Sequence, residues 1–233
     1  MKRDLLARLV AAQESSRPAV LVRSLSGPDQ FLIESDGGAG GADEVPAKVR
    51  QEAQAAFRRD GARTVEAAGK RYLVQTLSPP PRLLVVGAVH IAQALIPMAR
   101  VAGYDVQLID PRPAFATLDR FPGIEIINRW PQEVMDDLPL TPRTAVVTLS
   151  HDAKIDEPAL TAALHSDAFY IGALGSRKNH AKRLERLATL GFDESTLTRI
   201  AGPIGLPLGG RSPAEIAVSI LAQIIQSRYH ASS

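Results

Sequence analysis

Two glycine turns and one polar triplet hold the residues whose types and spacing could do chemistry. The first turn is Gly87-Ala88-Val89-His90-Ile91-Ala92, directly after the apolar run Leu83 to Val86. A buried strand, a tight turn and a helix start in that order aim free backbone N–H groups at the strand's carboxyl end, and such an end attracts phosphate. The dinucleotide pattern G-x-G-x-x-G/A falls here on Gly87, Val89 and Ala92, so its first and third positions fit and its second does not. A β-branched side chain at Val89 places methyl groups where a pyrophosphate would approach, which disfavours ordinary NAD binding. His90 opens the helix and is a candidate ligand contact, although a lone histidine more often caps or packs.

Asp110 ends the next apolar run, 23 residues beyond Gly87, where an acid commonly binds a ribose. With Arg112 it could grip a sugar or pterin edge on one side and a phosphate on the other; alternatively the two simply pair in solvent. Ser150, His151 and Asp152 follow another buried run and should reach the same edge. Consecutive side chains diverge, so they do not make a catalytic triad, and an equal alternative is that Ser150 or Asp152 caps the following turn while His151 is an ordinary polar loop residue.

The second turn runs from Tyr170 through Gly172 and Gly175 to Ser176 and Arg177. Arg177 and Lys178 fall in a first helical turn, where cations cost about 0.3–1 kcal/mol each. An anion held by Ser176, the free amides and Arg177 would offset that cost; the alternative is a solvated basic face continued by Lys182, Arg183 and Arg186. The expectation is that the helix starts behind Gly87 and Gly175 converge on one anionic guest. The segment Pro203 to Arg211 is long and glycine-rich enough for a lid, or only a crossover.

These residues need elements to position them. From Arg82 onward, apolar runs alternate with helical stretches, which predicts a parallel sheet flanked by helices in a Rossmann-like α/β domain, residues 82–233. Pro97 should kink the first helix of that domain. Ser212-Pro213-Ala214-Glu215 supplies an N-cap, a proline at N1 and a capping-box acid for the last helix, whose apolar face offers a homodimer contact. Residues 1–77 predict a small α+β domain. It contains helices near 2–13 and 45–59, strands at 19–25 and 30–34, a hairpin of 63–66 with 71–77, and an element-free glycine-rich loop at 36–44. The break at Ser78-Pro79-Pro80-Pro81 separates the two.

Composition narrows the function. With 27 Lys+Arg against 25 Asp+Glu the charges nearly cancel, and aromatics are only 5%, so nucleic acid is not an expected partner. The absence of cysteine excludes disulfides, thiolate metal sites and a persulfide carried by this chain. His90, His151, His165, His180 and His230 show no i,i+3 or i,i+4 pairing, so no protein-ligated metal is expected. No window approaches the roughly 20 apolar residues needed to span a bilayer, and no export signal is evident, so a cytoplasmic protein is expected.

Taken together, Gly87 to Ala92, Ile109-Asp110-Pro111-Arg112, Ser150-His151-Asp152, Tyr170 to Arg177, and Gly205-Leu206 with Gly209 occur in an order that resembles the C-terminal domain of the XdhC/CoxI family. The resemblance covers about residues 79–229. Members of that bacterial family are accessory factors for xanthine dehydrogenase and related molybdenum hydroxylases. The resemblance implies a chaperone that binds the molybdenum cofactor as molybdopterin, with or without a nucleotide, through Gly87, Ala88, Val89, His90, Asp110, Arg112, Ser150, His151, Asp152, Gly172, Gly175, Ser176 and Arg177. No residue is asked to do covalent catalysis. A partner cysteine desulfurase would supply the terminal sulfur, and a xanthine dehydrogenase-type hydroxylase would receive the cofactor. The competing readings are an NAD(P)-dependent oxidoreductase and a nucleotide-sensing module.

Overall fold

The computed structural model describes residues 3–15, 17–34, 39–40, 45–57 and 61–230. The chain forms two compact units, divided between Pro79 and Pro80.

The first unit is an antiparallel sheet with strand order β3-β2-β1-β5-β4. Its strands are β1 (Ala19–Ser24), β2 (Gln30–Glu34), β3 (Ala39–Gly40), β4 (Ala62–Ala67) and β5 (Lys70–Leu77), with helices α1 (Arg3–Glu14) and α2 (Ala47–Ala56). Side chains alternate across a strand, so Val20 and Val22 pack with Val49 and Ala53 of α2, while Ala19 and Leu21 pack with Leu5 and Ala12 of α1. The two helices therefore cover opposite faces, and the central strand is apolar at both. β4 and β5 are joined through Ala68 and Gly69 at φ 52° and 71°, the paired positive values that a two-residue hairpin turn needs. One expectation is corrected: the glycine-rich 36–44 segment is not free of elements, because Ala39 and Gly40 pair with Ile33 and Leu32. Residues 36–38 and 41–44 of that segment, and 58–59 of the expected second helix, lie outside the described residues.

The second unit is a six-stranded sheet with order β11-β10-β9-β6-β7-β8. It comprises β6 (Arg82–Val86), β7 (Asp105–Ile109), β8 (Glu125–Ile127), β9 (Thr144–Thr148), β10 (Tyr170–Ala173) and β11 (Ile200–Ala201). Every pairing is parallel. Counted from β6, the order is the 3-2-1-4-5-6 of a doubly wound dinucleotide-binding fold, with its switch point between β6 and β9. The unit is thus the Rossmann-like domain expected from the strand–helix alternation.

Both faces of this sheet are covered, as parallel sheets require. Leu83 and Val85 point into a core shared with α3 (His90–Val101) and α8 (Pro213–His230), while Leu84 and Val86 point into one shared with α5 (Ala153–Leu164) and α6 (Arg177–Thr189). Each such leucine, fully buried, contributes about 1.5–3 kcal/mol. The short helices α4 (Pro131–Val134) and α7 (Glu194–Leu197) complete the α5 and α6 side through Val134 and Leu197. Helix α3 continues through Pro97, and α5 through Pro158. The start of α8 has the expected capping box: the Glu215 carboxylate accepts from the Ser212 amide at 2.9 Å, and the Ser212 hydroxyl accepts from the Glu215 amide at 3.3 Å.

Candidate functional site

The carboxyl edge of the second sheet is built around Gly87, at φ 110°. A Cβ at this position would lie 2.8 Å from the Ser150 amide nitrogen, so only glycine lets the turn after β6 sit against the loop after β9. The Gly87 amide donates to the Ile109 carbonyl at 2.9 Å and the Ala88 amide to Asp110 Oδ2 at 2.7 Å, which staples the turn to the end of β7. Helix α3 then starts behind Val89 with no side-chain cap, and its first residue, His90, is exposed. Free first-turn amides at an uncapped start suit an anion.

Asp110 corrects the sequence expectation. Its side chain is fully buried and both oxygens are occupied within the protein: Oδ1 accepts from Arg112 N and Nε, each at 2.9 Å, and Oδ2 accepts from Arg112 Nη2 at 2.7 Å as well as from Ala88. No lone pair is left pointing out for a ribose, and the pair is not a solvent-exposed one either. Burial pushes this carboxyl up, but the hydrogen bonds from Arg112 and Ala88 together outweigh it and hold it below its ordinary value. Asp110 therefore positions the Gly87 turn and Arg112. The Arg112 guanidinium lies 4.7 Å from the Phe115 ring centre, leaves Nη1 without a hydrogen bond among the described residues, and is stabilised in its charged form by Asp110 first and further by Asp152 and Asp156.

Across the switch point, Ser150, His151 and Asp152 diverge. Asp152 is the N-cap of α5 and accepts from the Lys154 amide at 2.9 Å. His151 is exposed, with a positive φ of 64°. The Ser150 hydroxyl donates at 2.6 Å to Asp156 Oδ1, an acid that sequence reasoning missed. Asp156 is 1% exposed, and burial raises its carboxyl against the hydrogen bonds from Ser150 and the charge of Arg183. A signal was present: Asp156, Ala159, Leu160 and Ala163 share the buried stripe of α5, so an acid interrupts an apolar face.

The second glycine turn departs further from expectation. Gly172 lies inside β10 rather than at its end, and a Cβ there would fall 2.5 Å from Ile204 Cδ1, so its bareness serves packing rather than a guest. Gly175 has φ 144°, and the Ser176 hydroxyl caps α6 by accepting from the Asn179 amide at 3.2 Å. Arg177 is exposed in the first turn. Arg183, expected on a solvated face, is 5% exposed and donates back to the Leu174 carbonyl at 2.8 Å. The two helix starts do not converge: α3 and α6 cover opposite faces, and β9 runs between β6 and β10. Gly87, Arg112, Ser150 and Asp152 share the switch-point edge, whereas Gly175, Ser176 and Arg177 belong to a neighbouring cluster on the other layer.

The Pro203 to Arg211 segment is anchored over its first half. Ile204 is buried against Gly172, the Gly205 amide donates to Gln223 Oε1 at 2.7 Å, and the Leu206 amide donates to the Ser219 carbonyl at 3.1 Å. Residues 207–211 are exposed. No group of three or more potential metal ligands occurs among the described residues. Nor is any helix among them long and apolar enough to cross a membrane.

A family model described as the XdhC Rossmann domain matches residues 83–224, the stretch that holds every element of this edge. The chain belongs to the XdhC family. Among its curated relatives, a Bacillus subtilis (strain 168) protein named as a probable xanthine dehydrogenase subunit is 32% identical over 156 residues, 66% of this chain and 45% of the relative. The molybdenum cofactor insertion chaperone PaoD of Escherichia coli (strain K12) is 32% identical over 152 residues, 65% of this chain and 42% of PaoD. This XdhC-family chain thus spans less than half the length of those relatives. A crystal structure described as a xanthine dehydrogenase from Bacillus halodurans superposes with a TM-score of 0.60 at 19% identity, covering 97% of this chain and 95% of that one, which establishes the shared fold.

Proposed function

We propose that this chain is an accessory chaperone that binds the molybdenum cofactor and passes it to a xanthine dehydrogenase-type molybdenum hydroxylase. The observation that carries the reading is Arg112. Asp110 and the Phe115 ring fix its guanidinium at the switch-point edge with Nη1 unspent among the described residues, on the same edge as the uncapped start of α3. A planar cation held in place beside free amides fits a phosphate such as the one molybdopterin carries. The 32% identity to a protein named as a molybdenum cofactor insertion chaperone supports the same cargo. The dithiolene of the cofactor would hold molybdenum, so this cysteine-free chain need supply no metal ligand. A partner cysteine desulfurase would then deliver the terminal sulfur.

The strand order also favours a second reading, an NAD(P) or nucleotide site. Against it stand the half-buried Val89 at the helix start and the absence of a free acceptor on Asp110. One experiment separates the two: the purified chain and Arg112→Ala are mixed with molybdopterin or NADH and gel-filtered, and the retained ligand is quantified by fluorescence. The chaperone reading expects retained molybdopterin that falls about tenfold or more in the variant, the size of one lost charged hydrogen bond. Retention of NADH alone would replace it with the oxidoreductase reading.

Self-association is part of the proposal. Helix α8 leaves Val218, Ile225 and Tyr229 exposed while Ala217, Ile220 and Ile224 are buried. Light scattering that finds a monomer at tens of micromolar would remove the dimer.

A further inference from the structure

The crevice at the switch point has two unlike walls. On the β6 and β7 side the turn keeps its own amides: Gly87 donates to the Ile109 carbonyl at 2.9 Å, Ala88 to Asp110 Oδ2 at 2.7 Å, and Val89 to the Gly87 carbonyl at 3.0 Å. What this wall offers an anion is the Nη1 edge of Arg112, a side chain that is 35% exposed, with the first-turn amides of α3 on the same edge. Val89 stands at the entrance to that helix. Its φ of −95° is ordinary extended backbone, so the side chain is carried without strain, and it is only half-buried against the α3 core. The β9 side is acidic instead. The amides of Leu149, Ser150, Asp152 and Lys154 are spent within the protein. Asp152 closes the start of α5 with Oδ1, while its Oδ2 takes no hydrogen bond among the described residues. Asp152 is exposed, and after Asp110 it is the carboxylate that most stabilises the Arg112 charge, so it lies within electrostatic reach across the crevice.

We infer that this crevice selects a ligand ending in one phosphate monoester over a ligand whose phosphate is half of an esterified diphosphate, with Val89 and Asp152 setting the choice. A terminal phosphate enters end-on, places its oxygens on Arg112 Nη1 and the α3 amides, and needs nothing from the far wall. A dinucleotide lies across the crevice and needs its diphosphate close against the turn. Crossing brings the second phosphate toward the Asp152 carboxylate, which repels it. Close approach to the turn is opposed by the Val89 methyls, at the position where the dinucleotide pattern has a bare glycine. The ligand's identity rests on the cofactor-chaperone reading, under which the cargo is molybdopterin itself and not a dinucleotide form of it; the preference for a monoester does not.

The test compares two matched pairs of probes on the full chain. Molybdopterin is set against a dinucleotide form of molybdopterin by retention on gel filtration, and AMP against ADP-ribose by calorimetry. In each pair the first member ends in a monoester and the second carries an esterified diphosphate. The monoester should be favoured about tenfold or more in both pairs. Asp152→Asn removes the charge and keeps the start of α5, because asparagine caps a helix about as well as aspartate. It should narrow the preference about threefold or more by strengthening the diphosphate member alone. Val89→Gly should narrow it in the same direction and provides a second variant that leaves Asp152 in place. A diphosphate member bound as tightly as its monoester, a preference unchanged in both variants, or binding of none of the four probes overturns the inference. Equal retention of the two molybdopterin forms rejects the selectivity and keeps the chaperone. A preference for AMP that depends on Asp152, in a chain that retains neither molybdopterin form, keeps the selectivity and rejects the chaperone.

Discussion

The backbone of Gly87 touches that of Ser150: a Cβ at Gly87 would fall 2.8 Å from the Ser150 nitrogen and 3.1 Å from its Cβ. This contact closes the floor of the switch-point edge, and the positive φ of Gly87 adds conformational strain to any substitution. Gly87→Ala should destabilise the protein by about 2–4 kcal/mol, the sum of an overpacking and a backbone penalty. The shift of the urea midpoint at constant m-value measures it. A variant as stable as the parent would contradict the close approach.

Asp110 should give the stability a defined pH dependence. Its folded-state carboxyl is held below its ordinary value near 3.8, so its contribution is complete above that value and is lost as the pH falls through the lowered one. Asp110→Asn should cost about 1–3 kcal/mol at pH 7, less than the ~3–5 kcal/mol of a wholly buried pair because Arg112 is 35% exposed. The gap between parent and variant should narrow as the pH drops below 3.8. Asp156 has the opposite sign: its raised carboxyl contributes at low pH and loses that contribution as the pH rises through the raised value. Denaturation curves at pH 7 and pH 3 that moved the two Asn variants in parallel would refute the assignment.

Arg112→Lys separates position from charge. A lysine keeps the cation but cannot make the forked pair to Asp110 or stack flat on Phe115. Ligand retention in the gel-filtration assay should fall nearly as far as in Arg112→Ala. Full retention by the lysine variant would reduce Arg112 to a point charge.

Gly172→Ala tests packing against binding. The added methyl meets Ile204 Cδ1 at 2.5 Å and the Tyr170 hydroxyl at 2.7 Å, which should cost about 1–3 kcal/mol. Combining it with Ile204→Val, which deletes Cδ1, should recover part of that loss in a double-mutant cycle. A stable Gly172→Ala that instead lost ligand would restore the binding role expected from the motif.

Several features were legible along the chain because local rules control them. The apolar alternation from Leu83 onward specified a parallel sheet, since only strands covered on both faces are apolar at consecutive positions. The positive φ of Gly87, the capping box at Ser212 and the Ala68-Gly69 turn likewise each answer to a backbone requirement met within a few residues, although the close approach of Ser150 to Gly87 does not. The short β3 was not legible, because its two residues are strand only through their partners on β2.

The candidate site divides along the same line. Residue type and spacing were enough to bring Gly87, Asp110, Arg112 and Ser150 to one edge, because each ends or follows a strand of one sheet. What each side chain faces was decided by the tertiary structure. Asp110 turned inward because the Ala88 amide, 22 residues away in the chain, reaches it from the turn after β6, while Arg112, two residues on, folds back onto it. Arg183 and Asp156 became a buried pair only when α5 and α6 packed side by side on one layer. Gly172 became a packing position only when Ile204, 32 residues away, folded onto it. Charge and hydrogen bonding act through space over a few ångströms, so partners far apart along the chain are invisible until the layers assemble.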